Sequence, residues 1–281
     1  MSFFKQFVNR FRKDNPIGLA LSGGATHGAA HIGVLQVLER EGIRPQFLAG
    51  TSAGAIIGGA YCAGIPVDEI QRLFLKLEWP DLLKLTLRPK LSFFNAQPME
   101  EFLKAVIGER TFEDLTIPLA VVACDLNTGE KIVLNKGPLA TAIRASSAFP
   151  ALFPPVQMGD KLLVDGGVVD NLPVEEVLAM GAKFVIASDV SRRGRIARPP
   201  ENPIDILTAS IYLMQARSAY SSFDDYDCYI RPDMGLSSAW GFKESMSTIE
   251  AGRIAAEYAL PKLKEKLKNK EKSILRPPFG K

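Results

Sequence analysis

The amino-acid sequence predicts an α/β fold with a largely parallel sheet and helices on both faces. Three observations carry that reading. Strand-like apolar runs alternate with helix-periodic segments along the chain. The runs IGLALS (Ile17–Ser22), LAVVACD (Leu119–Asp125) and FVIASDV (Phe184–Val190) are almost wholly apolar, as strands covered on both faces are. Glycines then break the strands where helices begin, at Gly23-Gly24, at Gly50 and at Gly166-Gly167.

The elements follow in order. Ile17–Ser22 reads as a buried strand. Gly28–Glu41 has apolar residues at helical spacing, and Gly42 stands where a helix stop belongs. Phe47–Gly50 is a short strand and Ser52–Ala63 a helix. Asp68–Leu77 and Met99–Ile107 are amphipathic helices separated by a Pro-punctuated stretch that holds Leu85, Leu87 and Phe93-Phe94. Leu119–Asp125 and Lys131–Leu134 are strands, and Leu139–Ala145 a helix. Leu162–Val164 is a strand ending at Asp165-Gly166-Gly167, and Val174–Met180 a helix stopped by Gly181. Phe184–Val190, helix Ile204–Ser218, the short strand Cys228–Arg231 and a last helix Thr248–Lys268 complete the order. One domain is expected over 17–268, with a basic, aromatic tail over 1–16, a basic tail over 269–281 and a mobile loop from Arg193 to Pro203.

Composition narrows the function classes. The chain has 281 residues, 47% of them hydrophobic and 23% charged, with a net charge of +3, so bulk charge does not argue for nucleic acid. Basic residues cluster locally. Residues 262–281 hold eight Lys/Arg against two Glu, and Arg192, Arg193, Arg195 and Arg198 form a second group. These read as solvated faces or as contact with an anionic membrane surface. Three widely spaced cysteines, Cys62, Cys124 and Cys228, point to free thiols in a reducing compartment, hence to a cytoplasmic protein, peripheral to the inner membrane surface at most. The uncharged stretch Pro45–Val67 is long enough to span a bilayer. Its Gly and Ala content, its prolines at both ends and its Gln46, Thr51 and Ser52 favour a buried strand–turn–helix instead.

The chemistry concentrates in a few stretches. Gly50-Thr51-Ser52-Ala53-Gly54 sets a serine between small neighbours on a strand-to-helix turn, the requirement for an exposed nucleophile. Ser22-Gly23-Gly24-Ala25-Thr26-His27-Gly28 also links a strand to a helix. Its N–H groups suit either a phosphate or an oxyanion beside Ser52. It fails as a dinucleotide fingerprint because the middle glycine is Ala25, and no lysine follows Gly28 as a phosphate-binding loop needs, so no nucleotide is expected. The two histidines, His27 and His31, both precede Ser52, which argues against the Ser–acid–His order of hydrolases with this turn. The remaining base is a carboxylate. Asp165, at a strand end before two glycines, is best placed, provided that burial raises its ordinary pKa of roughly 3.9.

Taken in order, the Gly-rich loop, GTSAGA, RASSAFPALFPP (Arg144–Pro155) and DGGVVDNLP (Asp165–Pro173) resemble the patatin-like phospholipases, specifically the small bacterial members. The resemblance runs over roughly Ile17 to Val190. It implies a three-layer α/β/α fold and hydrolysis of acyl esters of lipids without metal, cofactor or histidine. It also implies Ser52 as nucleophile, Asp165 as general base, Gly50 and Gly54 as the elbow glycines, and the N–H groups of Gly23, Gly24 and Ala25 as an oxyanion hole.

The chain departs from the family's G-G-G-x-[RK]-G at Ala25 and His27. A left-handed backbone at Ala25 would cost about 1–2 kcal/mol. His27 exchanges a fixed charge for one that titrates, so it is a candidate modulator of activity, while His31 reads as a packed helical residue. The proline-rich Arg144–Pro155 segment is expected to wall the acyl site, and the helices between Asp68 and Ile107 to cap it. The partner expected is a lipid or other acyl ester. The alternative reading is a regulatory or lipid-binding module with little turnover, which the altered loop favours.

Overall fold

The computed structural model describes residues 15–82, 84–85, 92–95, 97–191, 199–201, 203–218, 225–235 and 241–275. The aromatic N-terminal tail, Leu87, the arginines between 192 and 198 and the last six residues lie outside the described residues.

Strand β1 (Ile17–Leu21) leads through a 3-10 turn (Ala25–Gly28) into helix α1 (Ala29–Arg40). Strand β2 (Phe47–Thr51) leads into α2 (Ala53–Cys62), followed by α3 (Val67–Lys76) and a single turn, α4 (Trp79–Leu82). A two-residue ladder, β3 (Lys84–Leu85) with β4 (Phe94–Asn95), precedes α5 (Gln97–Ile107). Then come β5 (Leu119–Asp125), β6 (Lys131–Leu134), α6 (Leu139–Ser146), β7 (Val156–Met158) and β8 (Lys161–Asp165). Helix α7 (Val174–Ala179), β9 (Phe184–Ser188), α8 (Pro203–Ser218), β10 (Cys228–Ile230) and α9 (Ser245–Leu275) complete the fold.

The main sheet runs β10-β9-β1-β2-β5-β8-β7, with β6 also paired to β5. From β10 to β5 every pairing is parallel, and β6, β7 and β8 join antiparallel. Alternate residues of the parallel strands face opposite layers, as a period of two requires. Leu19, Leu21, Leu48, Val121 and Ile186 pack with the helices on one face. Ala20, Ala49, Ala120, Val185 and Ala187 pack beneath α7 on the other. The result is the expected mostly parallel sheet between two helical layers.

The predicted elements recur within one to three residues, with two main differences. Strand β7 had no sequence signal, because three residues between a proline pair and a glycine turn are too short to show a period. Helix α9 runs through Pro261 and extends seven residues beyond Lys268. The stretch 45–67 forms β2, the turn and α2, and among the described residues no helix is long and apolar enough to cross a membrane. The three cysteines are free and buried.

Helix α9 crosses α1 in backbone contact. A Cβ on Gly252 would collide with the Ala30 carbonyl, and one on Gly33 with the Ile249 carbonyl. A Gly252→Val variant is therefore expected to lose about 3 kcal/mol or more, since neither backbone can retreat from a packed crossing. The urea midpoint measured by circular dichroism checks this, and a fall of under about 0.5 kcal/mol would contradict the crossing.

Candidate active site

Ser52 sits between β2 and α2 with φ 51° and ψ −118°, a conformation that L-residues rarely adopt. Such strain costs about 1–3 kcal/mol and persists only where the surroundings impose it. They do so here. A Cβ on Gly54 would strike the Leu21 carbonyl, and one on Gly50 would lie 2.6 Å from the Gly54 carbonyl oxygen. The Ser52 N–H donates to Ser146 Oγ at 2.8 Å, and Ser146 Oγ donates to the Val122 carbonyl at 2.5 Å. Thr51 Oγ1 donates to the Asp170 carbonyl at 3.0 Å. Sequence reasoning missed Ser146. Its signal was a serine one residue past the predicted helix end, inside a segment read only as a wall.

Asp165 ends β8, and its Oδ2 accepts the Ser52 hydroxyl at 2.6 Å. Its Oδ1 accepts the Gly167 N–H at 2.8 Å, so both carboxylate oxygens are aimed. The carboxyl is 1% exposed, and burial pushes its pKa up to about 6 although both hydrogen bonds oppose the rise. A carboxylate so tuned is mostly ionised at neutral pH and can accept a proton from the hydroxyl it touches.

Gly24, Ala25 and Ser52 border the same cavity. Ala25 has φ 49°, the left-handed backbone that carries the expected penalty. Among the described residues the N–H groups of Gly24 and Ala25 have no protein acceptor, and Ala53 opens α2, where the first N–H groups lack intrahelical partners. Gly23 requires a correction. Its N–H donates to the Asn171 carbonyl at 3.1 Å, so it is engaged inside the fold and does not reach the cavity.

His27 is buried in the 3-10 turn but does not line the cavity, so the structure does not bring it to Ser52 and Asp165. His31 is fully buried on α1, as a packed residue. Its Nε2 donates to the Ser22 carbonyl at 2.9 Å, and its Nδ1 accepts from Ser188 Oγ at 2.9 Å. Burial lowers its pKa to about 4, so it remains a neutral strut that ties the ends of β1 and β9 to α1.

The cavity holds about 820 Å³, its mouth included. Its remaining wall is mostly apolar, with Thr26, Ser147, Tyr212 and Gln215 as the polar exceptions. Phe149 and Phe153 come from the proline-rich segment, and Phe74, Met99, Phe102 and Leu103 from α3 and α5, as the sequence led us to expect. Leu85 and Phe93 do not line it. Leu85 is exposed on β3 and Phe93 immediately before β4. Helix α8 covers one side with Tyr212 and Gln215 and turns Ile206, Leu207, Leu213 and Met214 to solvent. Much of the described basic C-terminal face is engaged within the fold, with Lys264 bound to Glu41 at 2.8 Å and Lys270 to Asp227 at 2.9 Å. Asp170, Glu175 and Glu176 converge on Lys131 Nζ at 3.0, 2.8 and 2.8 Å, so that acidic group already has its cation.

The two buried titrations act in opposite directions. Asp165 binds its proton more tightly folded than unfolded, so its contribution to stability is full below pH 3.8 and is lost as pH rises through 6, about 3 kcal/mol in all. His31 binds its proton less tightly folded, so its contribution is full above pH 6.5 and is lost as pH falls towards 4. Asp165→Asn is therefore expected to stabilise the protein at pH 8 by about 1–3 kcal/mol, to give little gain at pH 4, and to make acid unfolding steeper between pH 6.5 and 4. Urea titrations of both proteins across that range test it. A stability difference independent of pH would refute it.

Comparison with known proteins agrees with this architecture. A family model described as patatin-like phospholipase matches residues 19–178. An uncharacterised NTE family protein of Mycobacterium tuberculosis is 36% identical over 211 residues, covering 74% of this chain and 58% of its own length. A lysophospholipase of Candida albicans is 31% identical over 219 residues, covering 76% of this chain and 16% of its own. The chain thus spans little more than half of the mycobacterial relative. Among solved structures, VipD from Legionella pneumophila superposes with a TM-score of 0.57 at 14% identity, over 88% of this chain and 67% of that one. The matched region holds the end of β1, the Gly-rich loop, Ser52 on its turn and Asp165, and on this match the chain belongs to the patatin-like phospholipase family.

Proposed function

We propose that the protein is a serine acyl hydrolase that cleaves acyl esters of lipids through Ser52 and Asp165. The observation that carries this reading is the 2.6 Å hydrogen bond from Ser52 Oγ to Asp165 Oδ2 at the edge of an apolar cavity. Asp165 takes the hydroxyl proton as Ser52 attacks the ester carbonyl. The negative charge that forms on the carbonyl oxygen is held by the N–H groups of Gly24, Ala25 and Ala53 and by the N-terminal end of α2. Asp165 then returns the proton to the departing alcohol. In the second half a water gives its proton to Asp165 as its oxygen attacks the acyl carbonyl, and Asp165 returns that proton to Ser52 Oγ as the carboxylic acid leaves. No step needs a metal or a histidine.

The lipid class rests on the apolar walls, on the family, and on the likeness to the Candida albicans lysophospholipase. Helix α8, polar toward the cavity and apolar toward solvent, supports action on aggregated lipid, because an apolar arc of that kind is better matched to acyl chains than to water.

The test is turnover of p-nitrophenyl acyl esters and of a lysophospholipid by wild type, Ser52→Ala and Asp165→Asn. Ser52→Ala is expected to fall to background and Asp165→Asn by about 10²–10⁴-fold. The wild-type rate is expected to rise with pH through a limb at about 6, as Asp165 loses its proton. Full activity in Ser52→Ala would overturn the reading. Lipid binding without turnover would favour a non-catalytic module.

A further inference from the structure

The proposed mechanism uses the N–H groups of Gly24 and Ala25 but does not explain what aims them. The segment Asp165–Asn171 touches every part of the site. It carries Asp165, and Asp170 accepts from Thr51, the residue before the nucleophile. Asn171 reaches the Gly-rich loop. Its carbonyl accepts the Gly23 N–H at 3.1 Å, and its Nδ2 donates to the Gly23 carbonyl at 3.4 Å. Both polar groups of Gly23 are therefore held by Asn171, with Ser22 Oγ also donating to the Gly23 carbonyl at 3.1 Å, immediately before Gly24 and Ala25, which border the cavity.

The side chain of Asn171 also fixes a spacing. It is 1% exposed, and among the described residues its Oδ1 has no hydrogen-bond partner. That oxygen lies 2.6 Å from where a Cβ on Gly23 would stand and 2.8 Å from where one on Gly167 would stand. It fills the gap between the Gly-rich loop and the turn whose N–H holds Asp165. An apolar side chain of the same volume would fill this gap but could not donate to the Gly23 carbonyl. The amide matches the clamp on Gly23 instead.

We propose that Asn171 is a positioning residue. By clamping Gly23 and spacing it from Gly167, it aims the Gly24 and Ala25 N–H groups at the developing oxyanion. The inference rests on the hydrolase reading for its catalytic consequence and on geometry for its structural one. A displaced oxyanion donor lowers turnover while leaving ground-state binding nearly intact, because the charge appears only in the transition state.

Asn171→Ala is expected to lower kcat about 10–100-fold with KM changed less than about threefold. Affinity for a trifluoromethyl ketone, which adds to a serine as a tetrahedral oxyanion, is expected to fall by the same factor as kcat/KM, with the pH limb near 6 unmoved. The amide resonances of Gly24 and Ala25 are expected to shift in the variant. Gly23→Ala, which presses a methyl group on Asn171 Oδ1, is expected to be impaired alone and to do no further harm in combination with Asn171→Ala. If Asn171→Ala does not fold, Asn171→Asp keeps the volume, removes the Nδ2 donor to the Gly23 carbonyl and is read in its place.

Turnover that depends on Ser52 but stays within threefold in Asn171→Ala would overturn the proposal. So would equal losses in kcat and substrate affinity with both amides unmoved. Absence of Ser52-dependent turnover in wild type sinks the hydrolase reading instead. Positioning is then judged by the Gly24 and Ala25 amides alone, where a shift sustains it and no shift ends it.

Discussion

The hydrogen bond between Ser52 and Asp165 spans a strand. β2 and β8 both pair with β5, one parallel and one antiparallel, and in register Thr51 lies opposite Val122 while Asp165 lies opposite Ala123. Ser52 and Asp165 therefore arrive at one level from opposite directions, on backbones about 10 Å apart. Their side chains close that gap across β5. The antiparallel entry of β8 brings the Asp165 carboxylate to the Ser52 hydroxyl directly.

That contact demands support from both sides. The strained backbone of Ser52 is held by Ser146 and by the close approach of Gly54 to the end of β1. Asp165 is held by the Gly167 N–H, and Gly166 packs so close to the Val122 carbonyl that a Cβ could not fit. β5 is the shared reference, because Val122 accepts from Ser146 and faces Gly166. On the far side of the elbow, the neutral His31 performs the corresponding service for the Gly-rich loop, tying Ser22 to Ser188. A charged residue could not replace it, since burial already drives its proton off.

Burial thus acts differently on two groups. It raises Asp165 to about 6, which costs stability at neutral pH and makes the carboxylate a usable base. It lowers His31 to about 4, which removes the histidine from proton chemistry and leaves it as a structural donor and acceptor. The absence of any histidine after Ser52 in the sequence and the neutrality of His31 in the fold lead to the same carboxylate.

Much of the site was legible in the sequence because it is written in local backbone demands. A serine between glycines at a strand end, two glycines after an aspartate and a Gly-rich turn before a helix each reflect a conformation or a close approach that few residues allow. The alternation of apolar runs likewise determined the α/β class, because burial on both faces leaves a period that composition alone can carry. Only the tertiary structure decided which N–H groups are open. Gly23 and Gly24 look equivalent in the sequence, yet the Asn171 carbonyl, 148 residues away, engages the N–H of the first, while that of the second, at the border of the cavity, has no acceptor among the described residues. The roles of Ser146 and Asn171, and the withdrawal of His27 from the cavity, have the same origin. They depend on which strands neighbour β5 and β1, and pairing between distant segments leaves no periodic trace in either one.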